Sequence, residues 1–160
     1  MIICGTGHRP NKLGGYKKEV ERKLYNLAYK WLLANKPKKI ISGMALGWDQ
    51  ELARAAVDLN IHTVAALPFE NHHSIWPHWQ IERYINLLSN CNEVIKVCEG
   101  GYEKWKMQKR NEWMVDNSDK VLALWNGSVG GTNNCVTYAL GIPKAVINLW
   151  DEYNAAAQSI

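Results

Sequence analysis

Six short apolar runs punctuate this chain: "MIIC", "KIIS", "HTVAALP", "EVIKV", "KVLALW" and "AVINL". Between them lie stretches with helical spacing. The runs are apolar throughout instead of alternating with polar residues. Strands of that kind must be covered on both faces, which is the condition of a parallel sheet between two layers of helices. The pattern therefore predicts an α/β chain, a single-domain Rossmann-like three-layer sandwich with a mostly parallel central sheet. Residues 16–35 show the helical part most clearly. Val20, Leu24, Leu27, Ala28, Trp31 and Leu32 form one buried stripe, and Pro37 marks its end. Further helices are expected through Leu52, Ala55, Ala56 and Leu59, and over about 74–89, 103–117 and 132–140. Residues 1–150 make up the folded domain, and 151–160 read as a C-terminal tail.

A chain of 160 residues, 47% apolar and 21% charged, can bury one full core. Its apolar runs are too short to span a bilayer, and "MIICGTGHRP" lacks the length and cleavage pattern of a signal peptide. Cys4, Cys91, Cys98 and Cys135 contain no C-x-x-C pair. That usage fits reduced cytoplasmic thiols better than a disulfide framework or a zinc knuckle. A cytoplasmic protein without a membrane partner is expected. The formal charge of +4 is unevenly spread, with ten Lys and Arg residues in 9–39 against Glu19 and Glu21. Such a segment reads either as a solvated helix face or as a nucleic-acid footprint.

In open parallel sheets, ligands bind beyond the carboxyl ends of the strands, where strand order reverses. Every Gly-rich turn in this chain follows a strand. "WNGSVGGTNN" offers Asn126, Gly127, Ser128, Gly130, Gly131, Thr132 and Asn133 ahead of a helix. Helix N-termini present unpaired amides and a positive dipole end, and glycines let backbone approach an anion. The alternative is a tight turn with no ligand. "GTGHRP" places Gly7, His8 and Arg9 after the first strand. Arg9 can clamp a phosphate with two donors, or it can be a surface residue before Pro10. "SGMALGWDQ" supplies Ser42, Gly43 and Asp49. Asp49 can accept from ribose hydroxyls, or merely favour its helix N-terminus. "NHHSIWPHW" holds three histidines without a second ligand cluster, so neither a metal nor a cofactor is expected.

"SGMALGWD" resembles the S-G-x-A-x-G-x-D element of DprA proteins. "RNEWMVDNSDKVLALW" with "GGTNNC" resembles the motifs of LOG enzymes, which hydrolyse the N-glycosidic bond of cytokinin nucleotides. Both belong to the SLOG superfamily of Rossmann-like nucleotide-binding proteins. "GTGHRPNKLGGY", "PFEN", "EGGY", "RNEWMVDNSD" and "GGTNNCV", in this order, resemble its YpsA branch most closely. The resemblance implies that residues 1–150 are a SLOG-type nucleotide-binding domain and that Arg110 contacts ligand. It also implies that Cys135 stands where LOG enzymes carry a catalytic glutamate, in a loop two residues longer. The expected function is binding of a nucleotide or nucleotide-derived small molecule, in a sensing or sequestering role. LOG-like hydrolysis of nucleoside 5′-monophosphates and DprA-like single-stranded DNA binding are the alternatives. A homo-oligomer is expected by the same resemblance.

Overall fold

The strands β1 (Ile2–Gly7), β2 (Lys39–Ser42), β3 (His62–Leu67), β4 (Glu93–Lys96), β5 (Lys120–Leu124) and β6 (Ala145–Asn148) form one sheet in the order β4-β3-β2-β1-β5-β6. All five neighbouring pairs are parallel. The structure, a computed structural model, describes residues 1–158. Its helices are α1 (Lys18–Asn35), α2 (Trp48–Asp58), α3 (His78–Ser89), α4 (Lys104–Asp116), α5 (Gly131–Gly141) and α6 (Trp150–Gln158). A single 3-10 turn, Pro10–Lys12, follows β1. None of these helices is long and apolar enough to cross a membrane.

Successive strand residues face opposite layers, as the pleat demands. Ile3, Ile40 and Leu122 pack with Leu24, Ala28, Leu32, Leu52 and Tyr153 from α1, α2 and α6. Their neighbours Cys4, Ile41 and Val121 pack with Met114, Val115, Cys135 and Ala139 from α4 and α5. α3 joins the first layer through Tyr84 and Leu87, which meet Ala53 and Ala65. The change of layer after β4 accompanies the reversal of strand order at β1 and β5, and that reversal opens a crevice between their carboxyl ends.

Local chemistry explains most element boundaries. α1 ends where Lys36 turns left-handed (φ 46°), its N–H donating to the Leu32 carbonyl, just before Pro37. β1 runs three residues beyond the apolar run, because Gly5, Thr6 and Gly7 continue the ladder against Leu122, Ala123 and Leu124 of β5. α3 begins at His78, four residues later than the spacing suggests, behind Pro77. α6 occupies most of the stretch expected as a C-terminal tail, 151–160, of which 159–160 lie outside the described residues. Tyr153 is buried there, and its hydroxyl donates to the Leu13 carbonyl at 2.5 Å.

Gly5 and Gly7 are required by packing. A Cβ on Gly5 would stand 2.3 Å from Leu52 Cδ2, and one on Gly7 would stand 2.4 Å from Trp48 Cδ1. α2 therefore lies directly on β1, and Trp48 is fully enclosed between them. Overpacking of this kind costs about 1–3 kcal/mol. Gly7→Ala is expected to lower stability by about that amount in a chemical denaturation curve, with an unchanged slope against denaturant.

Candidate functional site

A cavity of about 250 Å³ opens at the carboxyl edge of β1 and β5. Gly7, His8 and Arg9 line it from the turn after β1, with Lys12 just beyond. Ala45 and Asp49 line it from the loop and helix after β2. Met107, Arg110 and Asn111 line it from α4, and Gly130, Gly131 and Thr132 from the start of α5. All three Gly-containing turns thus reach one edge of the sheet.

The glycine turn is built to leave amides open. Gly127 (φ 91°) and Gly130 (φ 143°) hold backbone conformations that L side chains rarely adopt. α5 has no side-chain cap. The N–H groups of Gly131, Thr132 and Asn133 make no hydrogen bond among the described residues; the next amide, of Asn134, returns to the Gly130 carbonyl. A Cβ on Gly131 would meet nothing within 4 Å. The loop ahead of these amides is braced from three sides. Lys12 Nζ donates to Ser128 Oγ (2.9 Å) and to the Val129 carbonyl (3.0 Å). Trp125 Nε1 donates to the Ser128 carbonyl at 2.8 Å, and the Asn126 N–H donates to His8 Nε2 at 3.1 Å. The same Nε2 also lies 2.8 Å from Asn126 Oδ1, and burial lowers the His8 pKa against the opposing effect of that contact.

Arg110 is the buried cation of the site. Its Nη1 donates to the Gly43 carbonyl (2.7 Å) and the Ala66 carbonyl (3.3 Å), and its Nε donates to Asn111 Oδ1 (3.1 Å). Nη2 has no partner among the described residues. Gly43 is glycine because a Cβ there would stand 2.7 Å from Arg110 Nη1. Asn111 links Arg110 to the glycine turn by donating from Nδ2 to the Gly131 carbonyl at 3.4 Å. Arg9, by contrast, is exposed and makes no side-chain hydrogen bond among the described residues.

Asp49 faces this group from α2. It is 5% exposed, and its Oδ1 is buried without a partner. Its Oδ2 accepts only a long bond from the Ala45 N–H, at 3.4 Å. Burial pushes the carboxyl up to about 6, against the attraction of Arg110, the Ala45 amide and Arg9. A folded-state pKa above the unfolded value means that the folded chain binds the extra proton between pH 4 and 6. Asp49 therefore withdraws stability as pH rises through that window, by an amount on the order of 3 kcal/mol. The stability difference between wild type and Asp49→Asn is expected to shift by roughly that much between pH 4 and pH 6.5. A flat difference would show that the carboxyl is not held in a desolvated site.

Several residues picked out in the sequence support the cavity without lining it. Ser42 Oγ donates to the Asp49 carbonyl (2.8 Å) and accepts from the Met44 N–H (3.1 Å), holding Met44 left-handed at φ 62°. Gly43 seats Arg110. Asn126, Gly127 and Ser128 shape the loop, and Asn133 is half-buried inside the first turn of α5. Lys12, Asn111 and Met107 were missed. Met107 precedes Arg110 by three residues, so helical spacing around Arg110 could have found it. Lys12 was absorbed into the basic segment, which the fold disperses. Arg22, Lys23 and Lys30 border a groove beside α6, and Lys39 lies 3.9 Å from Glu93 at the other end of the sheet.

Cys135 is fully buried, and burial raises its thiol to about 11, so it is protonated at neutral pH and a poor nucleophile. Asp116 accepts from the Tyr138 hydroxyl at the C-terminus of α4, away from the cavity. Of the three histidines of "NHHSIWPHW", His72 bonds Tyr84 at 2.9 Å with His73 packed against the same ring, and His78 turns away to pair with Glu82 at 3.0 Å.

Comparison with known proteins agrees with this architecture. The uncharacterized SPbeta prophage-derived protein YoqJ of Bacillus subtilis (strain 168) is 34% identical, over 63% of this chain and 68% of its own length. The structure of DNA processing protein A from Streptococcus pneumoniae superposes with a TM-score of 0.68 at 17% identity. That match covers 98% of this chain, which spans 56% of the length of the larger protein. The molybdenum cofactor carrier protein of Chlamydomonas reinhardtii matches with a TM-score of 0.60 at 18% identity, over 99% of this chain and 82% of its own. These two likenesses concern the fold. The YpsA model, described as the YspA SLOG family, matches residues 3–141, and this chain belongs to that family.

Proposed function

We propose that the cavity binds a nucleotide or nucleotide-derived small molecule by its phosphate, and that the protein senses or sequesters this ligand. The observation that carries the reading is the open start of α5, where three successive amides have no partner among the described residues and Gly131 and Thr132 line the same cavity as Arg110 and Arg9. Uncapped helix N-termini stabilise anions through their amides and dipole, and a guanidinium adds a charge-assisted bond. Asp49 Oδ1 supplies an acceptor for a donor group such as a ribose hydroxyl. At about 250 Å³ the cavity is smaller than the usual 300–1,000 Å³ for whole drug-sized ligands. It suits the phosphate and sugar, with the base at the open mouth. Trp48, fully enclosed under Gly7, is not available to stack on that base.

Holding is favoured over cutting. Cleaving an N-glycosidic bond calls for a carboxylate beside the anomeric carbon. The position at which the resemblance to LOG enzymes puts their glutamate carries the protonated, buried thiol of Cys135. Wild-type protein is expected to release no base from a panel of nucleoside 5′-monophosphates. Turnover that survives Cys135→Ser and fails in Asp49→Asn would replace this reading with an enzyme. The binding reading itself is tested by mass spectrometry of small molecules released from natively purified protein. It expects a phosphate-bearing compound near one per chain; release of only phosphate-free compounds speaks against it.

A further inference from the structure

We infer that the groove between α1 and β6 is a second ligand site, for a small amphipathic carboxylate whose apolar body lies along Leu27 and Trp31 and whose anionic head meets Lys30. The inference goes beyond the phosphate reading, because the groove shares no lining residue with the cavity at β1 and β5. Its volume is about 710 Å³, against about 250 Å³ for that cavity. That falls within the roughly 300–1,000 Å³ usual for whole small ligands.

The topology leaves this space open. β6 is an edge strand, and apolar strands of a parallel sheet are ordinarily covered on both faces. Ile147 of β6 pairs with Leu122 and faces the same layer. Leu122 is fully buried there, whereas Ile147 is only partly covered, and α6 adds just 9 residues on that side. The lining residues of α1 recur at three- and four-residue steps from Glu19 to Asn35, so one face of the helix, about 24 Å long, borders the groove. Leu27, Trp31, Ile147 and Leu149 give it an apolar bed.

The charges sort along its length. Glu19 stands one turn before Arg22 and Lys23 on α1, and Glu152 joins them from α6. Lys23 Nζ lies 3.5 Å from the centre of the Tyr153 ring, which ties this half of α1 to α6. Two carboxylates thus offset two cations, and Lys30 is left over. Its helical neighbours Asn26, Leu27, Leu33 and Ala34 include no acid. Lys30 is exposed and makes no hydrogen bond or ion pair among the described residues. One uncompensated cation beside an apolar bed matches the single charge of a carboxylate, whereas a phosphate monoester brings nearly two. A second copy of this chain fits less well. From Arg22 to Asn35 this face of α1 carries three cations and no carboxylate, so a second α1 laid along it meets like charge.

The test is a calorimetric titration of decanoate, octanoate and decyltrimethylammonium, each below its micellar concentration, into wild type and three variants. Ala34 is exposed in the last turn of α1, so Ala34→Glu and Ala34→Gln are expected to fold, and the first sets a carboxylate one turn from Lys30. Wild type is expected to bind decanoate at least about tenfold more tightly than the cation of the same chain length, the effect of one charge-assisted contact. Octanoate, two methylenes shorter, is expected to bind about tenfold more weakly than decanoate. Lys30→Ala and Ala34→Glu are expected to erase the preference for the anion, while Ala34→Gln changes decanoate affinity by less than about threefold. Failure of decanoate to bind overturns the inference, as does equal binding of decanoate and the cation. Equal binding of decanoate and octanoate, or a decanoate affinity untouched by Ala34→Glu, overturns it too. A wild-type dimer in sedimentation that Ala34→Glu dissociates would give the groove to a second copy instead. Nucleotide titration into Ala34→Glu is expected to match wild type, so the phosphate reading stands or falls separately.

Discussion

Gly131→Val is expected to abolish ligand binding, by a hundredfold or more in Kd, while the ligand-free protein melts within a degree or two of wild type. The asymmetry follows from the empty space at this position, where an added Cβ touches nothing within 4 Å. Gly131 is the first residue of α5 and carries the first open amide of the turn. An isopropyl group there occupies the space that the phosphate oxygens need. At about 1.4 kcal/mol per tenfold, losing two amide contacts of the charge-assisted kind, about 1.5–3 kcal/mol each, is enough for that effect. A thermal melt beside a calorimetric titration reads both quantities. Wild-type affinity in this variant would mean that the turn is a plain strand-to-helix connection.

Arg110→Ala is expected to lose affinity and stability together. A surface contact residue would lose only the first. Removing this guanidinium strands the buried Gly43 and Ala66 carbonyls and leaves Asp49 without the opposite charge that most lowers its pKa. Breaking such a buried arrangement costs about 3–5 kcal/mol. Asp49 is then expected to titrate higher still. Arg110→Lys keeps the charge but not the fork, so it restores part of the stability and little of the affinity. A variant that melts normally and binds weakly would contradict the bracing role assigned to the Gly43 and Ala66 contacts.

The fold was legible because parallel strands announce themselves as unbroken apolar runs, and six of them with helices between leave few architectures. The glycines were harder. Gly5, Gly7 and Gly43 look like a phosphate cradle in the sequence, yet each is glycine because a side chain from another element presses on it: Leu52, Trp48 and Arg110. Gly127, Gly130 and Gly131 retain the open backbone that the motif suggests. No reading of one segment reveals a contact with a helix many residues away. Lys12 and Asn111 escaped for a related reason, since their partners, Ser128 and Gly131, lie 116 and 20 residues away in sequence. α6 escaped because its anchors, Trp150 and Tyr153, stand among small and polar residues with no sustained apolar stripe.

The central claim is that one cavity at the β1–β5 reversal holds the phosphate of a nucleotide-derived ligand. Calorimetric titration of a nucleotide panel, with the matching nucleosides as controls, into wild type and Gly131→Val tests it most directly. The account predicts saturable binding of at least one nucleotide to wild type, no binding of its nucleoside, and loss of the signal in the variant. Equal binding of nucleotide and nucleoside, or an affinity untouched by the valine, would contradict it.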